Sequence, residues 1–250
     1  MKILGIIPSR YGSTRFPGKP LADISGKSMI RRVYEQAGRS AQLDGLVVAT
    51  DDQRIFEHVK NFGGEVVMTS TTHPNGTSRC LEALRIVQKK DDSDTYSGVV
   101  NIQGDEPFIQ PEQISDVALM LKEKQAEIAT LCCKIDDQEE LFSPHVVKVV
   151  FDKEHVALYF SRQAIPNCRG AEEKDWLNQH IYYKHIGIYG FQTEVLSRIV
   201  MLKESALEKA EQLEQLRWLE HGFEIHIGMT SFQSLAIDTP EDLSKLTNIS

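Results

Sequence analysis

The chain lacks most of the markers that would take it out of the class of ordinary folded enzymes. Its four cysteines, Cys80, Cys132, Cys133 and Cys168, form no C-x-x-C pair, and no histidine stands at zinc-finger spacing from them. That pattern argues against a disulfide framework or a structural zinc site, and reduced thiols in a cytoplasmic setting are expected. No apolar run approaches the ~18 residues of a membrane span. The opening "MKILGIIPSR" is too short in its apolar part for a signal-peptide core and has no small-residue cleavage site, so it reads as a first β-strand. Positive charge is in deficit: Lys plus Arg number 28 against 36 Asp plus Glu, a formal charge of −8. A general nucleic-acid binder needs a basic face, which this balance disfavours. His145, His155, His180, His185, His221 and His226 show no H-E-x-x-H or similar metal spacing, and no G-x-G-x-x-G is present.

What remains is 250 residues, 41% hydrophobic and 26% charged, enough for one large domain with its own core. Over the first 130 residues strands and helices alternate. "KILGIIP", "DGLVVATD", "EVVMTS", "SGVVNIQGD" and "EIATLCCKI" read as strands. Between them "SMIRRVYEQAGRS", "DQRIFEHVKNFG", "TSRCLEALRIVQKK" (with a Thr or Ser cap) and "PEQISDVALMLKEK" read as helices. Such a rhythm implies βαβ units and a mostly parallel sheet with helices on both faces. Adjacent Cys132 and Cys133 should then point to opposite faces. The pattern changes afterwards. "HVVKVVFDKEHVALYFSR" predicts two strands around a turn at "DKE", "RQAIPNCRGAEEKDWLNQ" a loop, and "HIYYKHIGIYGF" a strand. Helices follow at about 193–221, then a strand "FEIHIGM" and a last helix from "TPEDLSKL". One domain over 1–250 is expected, with an antiparallel insertion or oligomerisation surface at about 140–192.

Ligands bind outside the carboxyl ends of such strands, which directs attention to a few loops. "PSRYGSTRFPGK" follows the first strand and gathers Arg10, Arg15 and Lys19 with two glycines. Arginine forks and a lysine point charge suit phosphate, and glycine lets backbone approach it. It is not a P-loop, because its glycines are one residue too far apart and Pro20 stands where Ser or Thr should be. A solvated basic loop is the alternative. In "NIQGDEPFI", Asp105 and Glu106 end a buried strand, where they either hold Mg²⁺ or form a turn. In "AIDTPEDL", Asp238 ends an apolar stretch before a helix start, where an ordinary helix cap is the local reading. "HPNGTSR" presents Gly76, Thr77 and Arg79 to a base or sugar, or simply caps a helix at Thr77. "EQLEQLRWLEHG" is an amphipathic helix whose Leu213, Leu216 and Leu219 face a core, with Glu214 and Gln215 partly off that face.

Taken together and in order, "IIPSRYGSTRFPGKPL", "VATDD", "HPNGTSR", "VNIQGDEPFI", "VKVVFD…ALYFSR…IP", "HIGIYGF", "LEQLRWL" and "IDTPEDL" resemble the 3-deoxy-manno-octulosonate cytidylyltransferases, or CMP-Kdo synthetases. The resemblance spans nearly the whole chain. It implies an α/β fold of the nucleotidyltransferase, nucleotide-diphospho-sugar-transferase-like type: a mostly parallel twisted sheet flanked by helices, with an antiparallel insertion for dimerisation. It implies CTP + Kdo → CMP-Kdo + pyrophosphate, serving lipopolysaccharide assembly, with Mg²⁺ as cofactor and a homodimer. It implies Arg10, Lys19, Asp105 and Asp238 as catalytic residues, with Asp105 and Asp238 the metal ligands. Nucleotide contacts are expected from Pro8, Ser9, Arg10, Arg15, Lys19, Gly76, Thr77 and Gln103. Sugar contacts are expected from Arg79, Gln103, His185, Tyr189, Glu214 and Gln215. The loop "NCRGAEEKDWLNQ" departs from the family pattern, so no contact is carried over from it. Rival readings are a cytidylyltransferase for another α-keto acid sugar, such as a sialic acid or 8-amino Kdo, a nucleotide-sugar glycosyltransferase, and a non-catalytic nucleotide-binding regulator.

Overall fold

The computed structural model describes residues 1–12, 16–90, 95–233, 237, 239 and 242. The first strand, β1 (Ile3–Ser9), is buried along almost its whole length. A 3₁₀ turn (Lys19–Leu21) and a minimal hairpin of β2 (Asp23–Ile24) and β3 (Lys27–Ser28) lead into α1 (Met29–Ala37). That helix buries Met29, Ile30, Val33 and Ala37, one stripe at helical spacing, and the Ser28 hydroxyl accepts the Arg31 N–H at its start. Then follow β4 (Gly45–Thr50), α2 (Gln53–Asn61) capped by Asp52, β5 (Val66–Met68), α3 (Gly76–Lys90) and β6 (Gly98–Asn101). Next come α4 (Pro111–Glu123), which starts on a proline, β7 (Ile128–Ile135) and α5 (Gln138–Phe142).

The predicted pair of strands after residue 145 is present as β8 (Lys148–Phe151) and β9 (Ala157–Ser161), antiparallel. A loop with the short α6 (Trp176–Gln179) leads to β10 (Tyr182–Gln192). The helical stretch at about 193–221 divides into α7 (Thr193–Ile199), α8 (Ala206–Glu211) and α9 (Gln215–Glu220). Gln212, left-handed at φ 54°, ends α8. The last strand, β11 (Ile225–Met229), lies parallel to β7. The helix expected from "TPEDLSKL" falls almost wholly outside the described residues.

Among the described residues nine strands form one sheet in the order β11-β7-β10-β6-β1-β4-β5, with β8 on β10 and β9 on β8, and β2 and β3 pair separately. β1 pairs in parallel with both β4 and β6, and β4 with β5. β10 runs antiparallel between β6 and β7. Residues 182–192 therefore belong to the middle of the sheet, while β8 and β9 extend from it. Alternation along each strand feeds two cores. Leu4, Ile6, Val47, Val99 and Cys132 join one with α3, α7 and α9. Ile3, Ile7, Val48, Val100 and Cys133 join the other with α1, α2 and α4. Cys132 and Cys133 thus sit on opposite faces, as strand geometry requires. Each fully buried Ile, Leu or Val contributes about 1.5–3 kcal/mol.

Candidate active site

The register of the sheet decides where chemistry can sit. Ser9 at the end of β1 lies beside Thr50 of β4, and Ile6 lies beside Asn101 of β6. The chain after β6 therefore continues along β1, bringing Gln103, Gly104 and Asp105 next to Pro8, Ser9 and Arg10. They line a cleft of about 370 Å³ together with Lys19, His73, Asn75, Gly76 and Arg79. Glycine is needed at its edge: a Cβ on Gly104 would come within 3.0 Å of the Pro8 carbonyl oxygen. A Cβ on Gly76 would come within 3.3 Å of the Pro8 ring.

Across this cleft the Lys19 ammonium donates to Asp105 Oδ2 at 2.7 Å. The Asp105 carbonyl accepts the Ile237 N–H at 3.0 Å, so the chain immediately before Asp238 is fastened to the same corner. Asp238 and Arg15 themselves lie outside the described residues. Gln103 reaches across to β10, its amide donating to the Gly187 carbonyl at 2.9 Å.

The opposite wall is the segment from Thr69 to Arg79, and three carboxylates hold it. Asp51, just past β4, accepts Arg79 Nη2 at 2.6 Å, while Arg79 Nη1 donates to Thr69 Oγ1 at 2.6 Å. Arg79 is only 4% exposed. Glu82 accepts the Ser70 N–H at 2.8 Å and pairs closely with His73 Nε2. Burial pushes the Glu82 carboxyl up, but these two hydrogen bonds outweigh it and hold it below its ordinary range. Glu214 accepts Asn75 Nδ2 and Thr77 Oγ1, both at 2.9 Å. Its burial raises it to about 7, partly offset by the Thr77 bond. Thr77 is thus not the helix cap. Asn75 is: its side-chain oxygen accepts the Ser78 N–H at 2.9 Å.

Further along β10, outside the lining of the cleft, is an aromatic cluster. Tyr189 packs against His185, Phe191 and Trp218, with ring centroids 5.2, 5.9 and 5.1 Å away. Burial takes the His185 imidazole down to about 3, so it is neutral. The Thr130 hydroxyl lies 2.7 Å from the Ile188 carbonyl, to which it donates, and 3.0 Å from His185 Nε2. It therefore accepts from Nε2–H, and Nδ1 is left as the acceptor of the ring. Burial holds the Tyr189 phenol well above 10, fully protonated, and among the described residues its hydroxyl has no hydrogen-bond partner. A buried donor without an acceptor is costly unless a ligand completes it.

The structure thus gathers Pro8, Ser9, Arg10, Lys19, Gly76, Arg79, Gln103 and Asp105 around one cleft. Thr77 and Glu214 stand one layer behind its wall. His185, Tyr189 and the buried Gln215 do not line it; the first two belong to an aromatic cluster on β10 and the third to α9. Sequence reasoning had not singled out Asp51, His73, Asn75 or Glu82. Asp51 carried a signal, since it ends a buried strand on the same sheet edge as Asp105. Among the described residues no group of three or more metal-ligating side chains converges, and no helix is long and apolar enough to cross a membrane.

Cations facing a carboxylate at the carboxyl edge of this sheet, beside two glycines, suit a phosphate-bearing ligand on an α/β scaffold. Residues 4–227 match the model of the cytidylyltransferase family. The 3-deoxy-manno-octulosonate cytidylyltransferase of Cytophaga hutchinsonii is 50% identical over 251 residues, covering 100% of this chain and 98% of that one. The enzyme of the same name from Parabacteroides distasonis is 52% identical, covering 98% of this chain and 96% of its own. A solved structure of CMP:2-keto-3-deoxy-manno-octonic acid synthetase complexed with CTP superimposes with a TM-score of 0.89 at 39% identity, over 100% of this chain and 98% of that one. The chain belongs to the cytidylyltransferase family, among its 3-deoxy-manno-octulosonate cytidylyltransferases.

Proposed function

We propose that the chain transfers CMP from CTP to 3-deoxy-D-manno-octulosonate, giving CMP-Kdo and pyrophosphate. The observation that carries this reading is the Lys19–Asp105 pair across a glycine-edged cleft, in a chain about half identical to enzymes of that name over its full length. A triphosphate brings roughly four negative charges to a protein of net charge −8. Arg10 and Lys19 supply the local field that overcomes this, with Arg15 expected to join them. The anomeric hydroxyl of the sugar acid attacks the α-phosphorus in line, and the P–O bond to pyrophosphate breaks. Such transfer needs positioning and charge neutralisation more than covalent chemistry.

Asp105 fits Mg²⁺: it is a hard oxygen donor at a solvent-reached sheet edge, and Mg²⁺ is commonly held by one or two carboxylates, waters and substrate phosphates. Asp238 is the proposed second ligand, supported by the Ile237 N–H bond to the Asp105 carbonyl. The ion, when bound, neutralises phosphate charge and lowers the pKa of the attacking hydroxyl. Lys19, now paired with Asp105, is then released to the phosphates. His185, Tyr189, Glu214 and Gln215, buried behind the cleft lining, are the proposed sugar-side residues, and the unpaired Tyr189 hydroxyl is the feature that supports this. Arg79 shapes the wall through its ties to Asp51 and Thr69.

A homodimer is part of the same reading. Leu158 and Ile181, 62% and 52% exposed, flank an apolar groove lined by Val149, Phe151 and Leu177. The four free cysteines fit the reducing cytoplasm in which this reaction is placed. The test is pyrophosphate release from CTP with Kdo, set against UTP and against sialic acid. Release confined to CTP with Kdo supports the reading, and a preference for sialic acid overturns the substrate assignment.

A further inference from the structure

The loop that carries Arg10 and Lys19 is tied at its root by a contact between Tyr11 and Gly18, on which Arg54 of α2 is stacked. The Tyr11 carbonyl accepts the Gly18 N–H at 3.0 Å. The Tyr11 ring lies against Gly18, where a Cβ would come within 3.1 Å of it, and Gly18 sits at φ +73°, a conformation that favours glycine. Above the ring is the Arg54 guanidinium, its central carbon 3.3 Å from the ring centroid. Asp52 braces that guanidinium from the side. Arg54 Nε donates to Asp52 Oδ1 at 2.9 Å and Nη2 to Oδ2 at 2.6 Å, and the same Oδ1 accepts the Arg54 N–H at 2.9 Å to cap α2. The Arg54 side chain is 59% exposed, while the Tyr11 ring is half-buried against the core formed with α1, α2 and α4.

We propose that Tyr11 and Arg54 are positioning residues for the nucleotide triphosphate: their stack latches the root of the loop to the start of α2 and presents Arg10 and Lys19 together. Arg10 precedes Tyr11 directly, and Lys19 follows Gly18 directly, so the latch fixes the two cations from both ends. A loop already closed pays less ordering cost when the anion arrives. Without the latch, apparent affinity scales down with the fraction of molecules that present Arg10 and Lys19 together. A cation–π contact at an exposed site limits that loss to about two- to fivefold.

The proposal rests on CTP as the nucleotide. Its test is the Arg54→Ala variant, compared with wild type by calorimetric titration of CTP, KM for CTP and for Kdo, and thermal melting. Weaker CTP binding and a raised KM for CTP, each by about two- to fivefold, are expected, with KM for Kdo and the melting temperature unchanged. Tyr11→Phe should keep CTP affinity because it keeps the ring, whereas Tyr11→Leu should lose it. A Tyr11→Leu/Arg54→Ala double variant should bind no more weakly than the worse single one. Unchanged CTP affinity in Arg54→Ala overturns the latch, as does a uniform loss of both substrates with a lower melting temperature. Failure of the wild-type protein to bind CTP would instead sink the functional reading itself.

Discussion

Lys19 and Asp105 neutralise each other across the cleft, so each substitution exposes the other's role. Lys19→Ala should weaken CTP binding and slow turnover, and unchanged kinetics would return the loop to a solvated basic segment. Glu214 adds a pH signature. Its folded carboxyl titrates at about 7, above its ordinary 4.5, so between those values the folded state binds more protons than the unfolded one. Its contribution to stability therefore falls as pH rises from about 4.5 to 7. Glu214→Gln removes that loss, so the melting temperature of the variant relative to wild type should rise between pH 5 and pH 8. A difference that is flat with pH would contradict the buried-carboxyl assignment. Residue types near the cleft were legible in the sequence, because cations after a first strand and an aspartate after a buried one have few other uses. The partners of Glu214 were not: Asn75 and Thr77 lie 139 and 137 residues away, and pattern says nothing about such pairs.

The segment from Thr69 through the first turn of α3 shows how a loop is held as a wall by side chains from elsewhere. Its anchors come from three places: Asp51 after β4, Glu82 within α3, and Glu214 at the start of α9. Asp51→Ala leaves the buried Arg79 charge unpaired and should destabilise the protein by about 3–5 kcal/mol in chemical denaturation. A cost below about 1 kcal/mol would show that solvent already reaches Arg79. Periodicity foretold the strands and most helices, because two buried faces impose apolar runs on strands and stripes on helices. It missed the division of 193–221 into three helices, which depends on the left-handed Gln212 and the Ser205–Glu208 capping box. It also left open that β10 lies in the centre of the sheet, since alternation does not name a strand's neighbours.

Two properties belong to the molecule as a whole. Its net charge of −8 repels a triphosphate except at the cleft, so raising ionic strength screens two opposed effects. If the local cations dominate, KM for CTP rises with salt, and a falling KM would show that the global charge prevails. The second is the proposed dimer, for which the exposed apolar pair Leu158 and Ile181 is the candidate contact. Leu158→Asp should shift sedimentation from dimer to monomer without lowering CTP affinity. The central claim is that Asp105 supports a metal-dependent transfer of CMP from CTP to Kdo. The most direct measurement is Mg²⁺-dependent pyrophosphate release from CTP and Kdo by the wild-type protein and by Asp105→Asn. The account predicts rapid release by wild type and a loss of about a hundredfold or more in the variant, with its fold retained. Near wild-type turnover by Asp105→Asn at limiting Mg²⁺ would contradict it.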